Sequence, residues 1–291
     1  MISIIIINYF QKELTKQCVQ SIKQNLRSYP VEIIVINNSP TEDLVELQTK
    51  FENVTIIPNE NRGYSQANNL GASLSSGEYL FFLNADTIIK SDFLETFLKE
   101  FSDKKFGAAG LKLYNTDETF QLSFWKENTF LNEITNKNEE KKFRKRDINF
   151  ISKKEKEFTD TTEVDWVTGA AMVIRKKEFK EAGGFDENYF LYYEDADICK
   201  TFKKKGYKNF FFPGSNIVHY KGENVNRKNR NDSYYYSKKS QLYYYKKNND
   251  SINNIALRLY LISKTAAAYL LTFNRTNLKI LKMVCGMGTN D

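Results

Sequence analysis

Apolar and polar residues alternate in blocks over the first 86 positions of the chain. Runs of β-branched and aromatic residues, typical of strands buried on both faces, occur at 2–7, 31–36, 54–57 and 79–83. Between the first two runs, Leu14, Cys18, Ile22 and Leu26 recur every four positions, which predicts a helix with one apolar stripe. Shorter helices are predicted at 44–51 and around 67–74. This β-α-β-α-β-α-β order predicts a parallel sheet wrapped by helices.

Polar residues follow each of these predicted strands. Because parallel strands of an open α/β sheet end at one edge, where ligands bind, we expect these residues to converge there. Four polar strand ends at one edge are typical of a nucleotide pocket. They are Asn8 and Tyr9, Asn37 and Asn38, Asn61 to Gly63, and Asn84 to Asp86.

The second half of the chain is less regular. An apolar stripe predicts a helix at 93–101, and strands are predicted at 107–114 and 164–175. The segment 128–160 between those strands is dense in Lys, Arg and Glu. Its composition favours a mobile, solvated insertion, and the alternative is a lid or acceptor-binding loop.

Charge and cysteine usage narrow the function classes. The 291-residue chain carries a formal charge of +7, which suits nucleic acid, an acidic membrane surface or a phosphate-bearing ligand. The excess positive charge lies in 141–156 and in the tail, away from any nucleic-acid-reading motif, so a nucleic-acid partner is not expected. Three widely spaced cysteines make neither a disulfide framework nor a zinc site, which fits a reducing cytoplasm. Residues 1–7 are too short for a signal peptide, so secretion is not expected.

A basic, apolar tail follows residue 222. Its longest apolar stretch, 255–273, is interrupted by Arg258 and Lys264, so a membrane-spanning helix is not expected. Such a helix suits an anionic membrane surface. The alternatives are packing on its own domain or on a second subunit, which would make a homodimer.

Three places in the chain carry candidate chemistry, each with a structural alternative. Asp86, directly after an apolar strand, suits a hard cation such as Mg²⁺ or Mn²⁺, or else a turn. The acidic run Glu194, Asp195 and Asp197 follows aromatic residues, where a carboxylate can serve as a base of raised pKa or else cap a helix. His219, the only histidine, ends a predicted strand and suits a ligand position or simple packing.

In order and spacing, the segments from residue 1 to about 222 together resemble the GT-A-fold glycosyltransferases of family 2, particularly their rhamnosyltransferase-like branch. The resemblance implies a Rossmann-like, mostly parallel sheet flanked by helices, with a C-terminal helical tail. It implies a catalytic domain at 1–222, with a nucleotide-binding half at 1–86 and an acceptor half at 87–222, and a basic helical extension at 223–291. The matching segments are 3–9, 35–39, 61–71, 77–86, 164–171, 183–187, 190–197 and 218–219.

The resemblance also implies roles by position. Asp86 resembles the last residue of the D-x-D metal element, His219 the second ligand to the same divalent cation, and Asp195 the general base. Two positions depart from the pattern, because Asn84 replaces the first Asp of D-x-D and Asn37 replaces an acid that often ends the second strand. The residues near the donor nucleotide are Asn8, Tyr9, Asn37, Arg62, Asn68, Asn84, Ala85 and Asp86. Those near the donor sugar and acceptor are Trp166, Gly169 and Glu194.

The implied reaction is inverting transfer of a sugar from a dTDP- or UDP-linked donor to a hydroxyl of a cell-surface polysaccharide or lipid-linked glycan precursor. It would take place in the cytoplasm, at the inner face of the membrane. L-Rhamnose from dTDP-rhamnose is the first donor expected, and a UDP-hexose or UDP-N-acetylhexosamine the alternative. A catalytically inactive sugar-nucleotide-binding scaffold of a glycan assembly complex stays open because of Asn84 and Asn37. A nucleotidyltransferase would want a glycine- and basic-rich loop where this chain has Asn8 to Gln11.

Overall fold

The computed structural model describes residues 1–220 and 227–286. Its first half follows the predicted alternation, and each predicted strand and helix is found within a few residues of its expected bounds. The strands are β1 (Ile2–Asn8), β2 (Val31–Asn37), β3 (Val54–Pro58) and β4 (Tyr79–Asn84). The helices between them are α1 (Lys12–Asn25), α2 (Val45–Lys50) and α3 (Tyr64–Leu74).

The segment after β4 adds strands of 2 to 12 residues and further helices. Its elements are β5 (Thr87–Ile89), α4 (Leu94–Phe101), β6 (Phe106–Tyr114), β7 (Phe120–Gln121), β8 (Phe124–Trp125), α5 (Phe130–Arg144) and α6 (Ile148–Glu157). They are followed by β9 (Thr162–Val164), β10 (Trp166–Val167), β11 (Ala171–Arg175), α7 (Lys176–Ala182), α8 (Glu194–Lys204) and β12 (Lys208–His219). The described tail is helical: α9 (Arg227–Asn248), α10 (Ser251–Thr272) and α11 (Arg275–Val284).

Across the described residues, the central sheet has the order β3-β2-β1-β4-β11-β6-β12-β5, with β7 beside β6 and β9 beside β12. The strands β3, β2, β1 and β4 are parallel, and β6 is parallel to β12, whereas β11 runs antiparallel to both its neighbours. Two apolar clusters cover the two faces of this sheet, one under α1 and α4 and the other under α7 and α8. This confirms a mixed α/β fold with a mostly parallel central sheet and C-terminal helices.

The polar segment 128–160, for which a mobile, solvated insertion is expected, contains two regular helices. It forms α5 and α6, which begin at the N-caps Thr129 and Asp147, each accepting a hydrogen bond from a backbone N–H of the first turn. Ile151 and Glu133 are buried in this segment. The many charged residues of this segment are therefore compatible with two capped helices, in which i,i+4 ion pairs such as Glu133–Lys137 form.

The strand predicted at 164–175 is also different, because it is broken into β9, β10 and β11. One break lies at Asp165, whose side chain accepts from the Glu127 backbone N–H and pairs with Lys203. The other lies around Gly169, whose N–H is turned towards the Asp195 carboxylate. Conversely, the strand that carries His219 is longer than predicted, since β12 continues through a register shift between Phe212 and Ile217.

The tail packs on the rest of the chain through a third apolar cluster. Tyr244 and Tyr245 of α9 and Leu257 of α10 are buried there together with Tyr189 and Ala196 from the segment before β12. Within the described residues, α10 is the one helix long and apolar enough to cross a bilayer by length and composition. Only 17% of its most apolar window is buried.

Candidate active site

The ends of β1 and β2 form a hydrogen-bonded polar cluster. Asn8 is fully buried, and its amide N–H groups donate to Asn37 Oδ1 at 2.9 Å and to Glu42 Oε2 at 2.9 Å. Its amide oxygen accepts from the Thr15 hydroxyl at 2.8 Å. The asparagine that replaces an acid at position 37 therefore has a carboxylate next to it, supplied by the half-buried Glu42. Asn8 acts by holding Asn37 and Glu42 in place.

Two exposed aromatic rings lie next to this cluster. Tyr9 and Phe10 follow β1, and their ring centroids are 4.9 Å apart in an edge-to-face arrangement. About half of each side chain is exposed. Such a pair offers a stacking surface for a nucleobase at the carboxyl end of the sheet.

Two predicted nucleotide contacts are engaged elsewhere. Arg62 is exposed and pairs with Glu60 at 2.8 Å, so in this structure its guanidinium is bound to a surface carboxylate. Asn68 is fully buried inside α3 and donates to the backbone oxygen of Tyr64 at 2.9 Å.

Asp86 and His219 meet at the edge of the sheet although 132 residues separate them in the chain. Strand β12 pairs antiparallel with β5, which places His219 opposite Thr87, the residue after Asp86. Asp86 Oδ1 lies 3.3 Å from His219 Nε2, and both side chains are more than nine-tenths buried. Asn84, at the end of β4, has its amide nitrogen 3.5 Å from the same Nε2. Ala85 between them is buried.

Gln121 determines which nitrogen of His219 faces the site. Gln121 Nε2 donates to Asn115 Oδ1 and to the His219 backbone oxygen, so its Oε1 is left to accept from His219 Nδ1 at 2.7 Å. With the proton on Nδ1, the lone pair of Nε2 points towards Asp86. A partner of this kind fixes the tautomer of a metal-binding histidine.

The donor set fits a divalent cation. A carboxylate oxygen and an imidazole lone pair 3.3 Å apart can bind one ion at bond lengths of about 2.0–2.2 Å. Over residues 1–220 and 227–286, no group of three or more His, Cys, Asp and Glu side chains forms a complete metal cage. A cation held by Asp86 and His219 would therefore take its other ligands from a diphosphate and water, as Mg²⁺ commonly does.

Glu194 and Asp195 form a second acidic centre in the first turn of α8. Asp195 Oδ2 accepts from the Gly169 N–H at 3.1 Å and Oδ1 from the Ala196 N–H at 2.8 Å. Burial raises the pKa of Asp195, and these N–H groups oppose the rise. Burial, together with the Asp195 charge, raises the pKa of Glu194 well above its usual value. The surroundings therefore raise the pKa of both carboxyls, and more strongly that of the buried Glu194 than that of the partly exposed Asp195.

Tyr64 links the two acidic centres. Its hydroxyl lies 3.1 Å from Asn84 Oδ1 and 3.0 Å from the Gly169 backbone oxygen, so its single proton is shared between two acceptors. Burial raises the pKa of Tyr64, which keeps it a neutral donor. Because Asn84 lies beside His219 and the Gly169 N–H donates to Asp195, a series of polar contacts runs from Asp86 and His219 to Asp195.

The turn before α8 is held in an uncommon conformation. Tyr192 and Tyr193 both have positive φ, 69° and 71°, which side chains other than glycine rarely adopt. Two residues before Tyr192, the backbone oxygen of Phe190 accepts a hydrogen bond from the Tyr64 N–H at 2.7 Å. A Cβ at Gly63 would lie 2.6 Å from the Phe190 oxygen, so only glycine allows α3 to approach this turn.

Glu133 of α5 connects the insertion to the same turn. This buried carboxylate accepts from the Tyr193 hydroxyl at 3.0 Å and from Gln241 Nε2 of α9. Lys238 of α9 donates to Gln241 Oε1, and burial lowers the pKa of Lys238 to about 8. The insertion and the tail therefore support the turn that presents Glu194 and Asp195.

Trp166 stacks on Trp125 of the small β8–β10 sheet, with ring centroids 4.4 Å apart. Its indole N–H donates to the Lys126 backbone oxygen at 2.9 Å.

Asp197, the third carboxylate of the acidic run, accepts from the Tyr189 hydroxyl and pairs with Lys247 of α9. It therefore joins the tail to α8.

Tyr64 connects two groups of predicted residues, one around Asp86 and His219 and one around Gly169 and Asp195. Asn8 and Asn37 form a separate cluster beside Tyr9, and Arg62, Asn68 and Trp166 make other contacts. The site residues that sequence reasoning missed are Glu42, Tyr64, Gln121 and Glu133. Tyr64 lay inside a quoted motif, which was a usable signal. For the other three, nothing in the local sequence distinguishes them from other polar residues, since each matters only through what it contacts in the fold.

Solved structures with a similar fold include two that contain Mn²⁺. GalNAc-T7, solved with UDP, GalNAc and Mn²⁺, superposes with a TM-score of 0.57 at 16% identity, covering 84% of this chain and 49% of its own. The mannosyltransferase PcManGT of Pyrobaculum calidifontis, in complex with GDP-Man and Mn²⁺, gives a TM-score of 0.57 at 15% identity, covering 99% of this chain and 76% of its own. The fold is therefore GT-A.

Sequence relatives identify the family. Rhamnosyltransferase WbbL of Escherichia coli is 26% identical over 236 residues, which cover 76% of this chain and 83% of that protein. The N-acetylglucosaminyl-diphospho-decaprenol L-rhamnosyltransferase of Mycobacterium tuberculosis is 34% identical over 64 residues, covering 22% of this chain and 21% of that protein. The family model described as "Glycosyl transferase family 2" matches residues 3–182. The chain therefore belongs to glycosyltransferase family 2, with rhamnosyltransferases among its relatives.

Proposed function

We propose that this protein is an inverting, metal-dependent glycosyltransferase that moves a sugar from a dTDP- or UDP-linked donor to a hydroxyl of a lipid-linked glycan precursor. The observation that carries the proposal is the linkage of a cation-type site, Asp86 with His219, to a partly exposed carboxylate, Asp195, through the Tyr64 hydroxyl. Transfer to a glycan needs both parts. The cation-type site would bind the diphosphate and stabilise it as it leaves, and the Asp195 carboxylate would accept the proton of the attacking hydroxyl.

The donor half of the site would hold the nucleotide at the strand ends. Tyr9 and Phe10 offer a face for the base, and Asn37 with Glu42 offers amide and carboxylate groups for base or ribose. A divalent cation held by Asp86 and His219 would stabilise negative charge on the departing diphosphate.

The acceptor half would activate the attacking hydroxyl. Asp195 takes the hydroxyl proton while the oxygen attacks the anomeric carbon and the bond to the diphosphate breaks on the opposite face. A raised pKa suits this role, because a base close to the working pH is a better proton acceptor than an ordinary carboxylate. Gly169 orients Asp195 through its N–H, and the neutral Glu194 leaves the negative charge on Asp195.

For the donor, we propose dTDP-L-rhamnose, supported by relatives named as rhamnosyltransferases. UDP-hexoses and UDP-N-acetylhexosamines are the alternative donors. The acceptor would be a precursor of a cell-surface polysaccharide such as O-antigen or capsule, at the cytoplasmic face of the membrane.

Nucleotide release tests this proposal without a known acceptor, because water can replace the acceptor in a slow hydrolysis. The protein would be incubated with Mn²⁺ and one donor in each of three reactions, the donors being dTDP-L-rhamnose, UDP-glucose and UDP-N-acetylglucosamine. We expect release of one nucleotide, abolished by EDTA and by Asp86→Ala, and unaffected by Asp160→Asn at an exposed carboxylate. Absence of release from every donor, together with intact nucleotide binding, would favour the inactive scaffold.

A further inference from the structure

Helix α10 has two apolar faces, of which the protein covers only one. Leu257 and Leu261 on the inner face are buried against α9 and α11. On the opposite face, an outer stripe of large apolar side chains is exposed to solvent. The outer stripe comprises Ile252, Ile255, Leu259 and Leu270 of α10, and Leu271 and the C-cap residue Phe273 are exposed beside it.

The exposed fractions show that these side chains are not partly covered core residues. Leu259 is 63% exposed, Leu270 68% and Leu271 84%. Residues 252, 255, 259 and 270 recur at helical spacing, so they form one continuous face along the helix. Exposed apolar surface of this extent marks an interaction site in a soluble protein.

Charge around the outer stripe indicates its partner. Residues 251–286 contain five cationic side chains and no acidic one. All five are exposed, namely Arg258, Lys264, Arg275, Lys279 and Lys282. At 100° per residue, Arg258 lies about 60° from Ile255 and Lys264 about 20° from Leu271, so both cations border the exposed apolar surface. An apolar face between cations fits the boundary between the acyl chains and the anionic headgroups of a bilayer.

We propose that α10 docks by its outer stripe onto an anionic lipid surface, lying in the membrane plane. Crossing the bilayer is the less suitable arrangement, although α10 is long enough. Arg258 and Lys264 would then enter the hydrocarbon core, which is costly. A crossing would also break the packing of Leu257 and Leu261 and the hydrogen bond from Arg258 to the Val284 oxygen. Docking by the outer stripe leaves these contacts intact.

Vesicle sedimentation of the full chain tests the proposal. Vesicles of phosphatidylcholine, with or without phosphatidylglycerol, contain neither donor nor acceptor, so the result is independent of the proposed sugar transfer. We expect binding to the phosphatidylglycerol vesicles that weakens with salt. Leu259→Gln/Leu270→Gln should weaken it at least about tenfold, because two leucines no longer enter the interface.

Two further variants make the test specific. Val45→Gln/Leu74→Gln changes two comparably exposed apolar side chains of α2 and α3 and should bind vesicles like the wild type. Lys279→Gln should weaken binding to phosphatidylglycerol about fivefold, the contribution of one cation near such a surface. Unchanged melting temperature and nucleotide binding would show that each variant is folded.

Several results would overturn the proposal. One is wild-type protein that sediments with neither vesicle, and another is a double glutamine variant that binds as well as the wild type. A third is a wild-type dimer that the Leu259→Gln/Leu270→Gln variant dissociates, with no lipid binding, which would make the outer stripe a contact between two copies of the chain.

Discussion

The two acidic centres of the site use the same functional group in opposite surroundings. Asp86 faces an imidazole 3.3 Å away, whose other nitrogen is held by Gln121. Asp195 accepts hydrogen bonds from the Gly169 and Ala196 backbone N–H groups and lies beside the buried carboxyl of Glu194. The first environment suits a cation ligand, and the second raises the pKa of a carboxyl towards that of a base. Environment, and not residue type, would separate the two proposed roles.

The largest effect expected from this comparison is that of Asp195→Asn. The amide cannot accept the acceptor's proton, so kcat should fall by about 10²–10⁴-fold. Nucleotide affinity should stay unchanged, because the variant leaves Asp86 and His219, the proposed cation ligands, in place. Steady-state kinetics and calorimetry measure the two quantities, with Asp160→Asn as the control. Loss of less than about tenfold in kcat would mean that Asp195 is not the base.

A smaller effect is expected when the orientation of His219 is disturbed. Gln121→Leu removes the acceptor for His219 Nδ1–H, so the proton can move to Nε2 and block the lone pair that faces Asp86. Affinity for Mn²⁺ in the presence of nucleotide should fall by about 10–100-fold. Gln121→Glu keeps an acceptor and should restore part of the affinity, and Gln48→Leu at an exposed position should have no effect. Equal Mn²⁺ affinity in wild type and Gln121→Leu would contradict the orienting role.

The strand-end cluster gives a third prediction. If Glu42 supplies the carboxylate that position 37 lacks, Glu42→Gln should weaken dTDP or UDP binding by about tenfold, the loss of one hydrogen bond to a charged group. Glu52→Gln, an exposed neighbour, is the matched control. The dissociation constant is the readout. An unchanged value would show that nucleoside recognition does not involve Glu42.

The smallest effect on turnover is expected for Glu194→Gln, since a neutral amide resembles the protonated carboxyl. Its effect on stability has a definite sign. The pKa of Glu194 is raised in the folded protein, so the stability associated with its bound proton is complete below the unfolded pKa, about 4.3, and is lost as pH rises towards the folded value. The variant has no such proton to lose.

The melting temperature of Glu194→Gln should therefore exceed that of the wild type by a few degrees at alkaline pH and by less at about pH 5. Thermal unfolding at several pH values measures this, and kcat should stay within about threefold. A variant that melts lower than the wild type at every pH would show that Glu194 is charged and paired in the folded protein.

Much of this architecture is predictable because its signals are local. The β-branched runs give β1 to β4, and the polar residues after them mark the ligand edge of the sheet. Asp86, Asp195 and His219 could be assigned roles only through the family resemblance. Their convergence depends on the antiparallel pairing of β12 with β5 and on the break at Gly169, neither of which periodicity shows.

The segment 128–160 shows where prediction from local composition fails. Composition suggested a solvated segment, yet its few apolar positions and the single buried Glu133 suffice to dock α5 against the turn at Tyr193. The helix signals were present in the N-caps and in the charge spacing, but a high density of Lys and Glu outweighed them. What Glu133 contacts depends on α9, nearly a hundred residues later, and no local pattern records it.

The most direct test of the two separate roles is calorimetric titration of dTDP and UDP into wild type, Asp86→Ala and Asp195→Asn, with Mn²⁺ and then with EDTA. The account predicts binding of one nucleotide that requires Mn²⁺, is lost in Asp86→Ala and persists in Asp195→Asn. Binding that survives both EDTA and Asp86→Ala, or that disappears in Asp195→Asn while the protein stays folded, would contradict it.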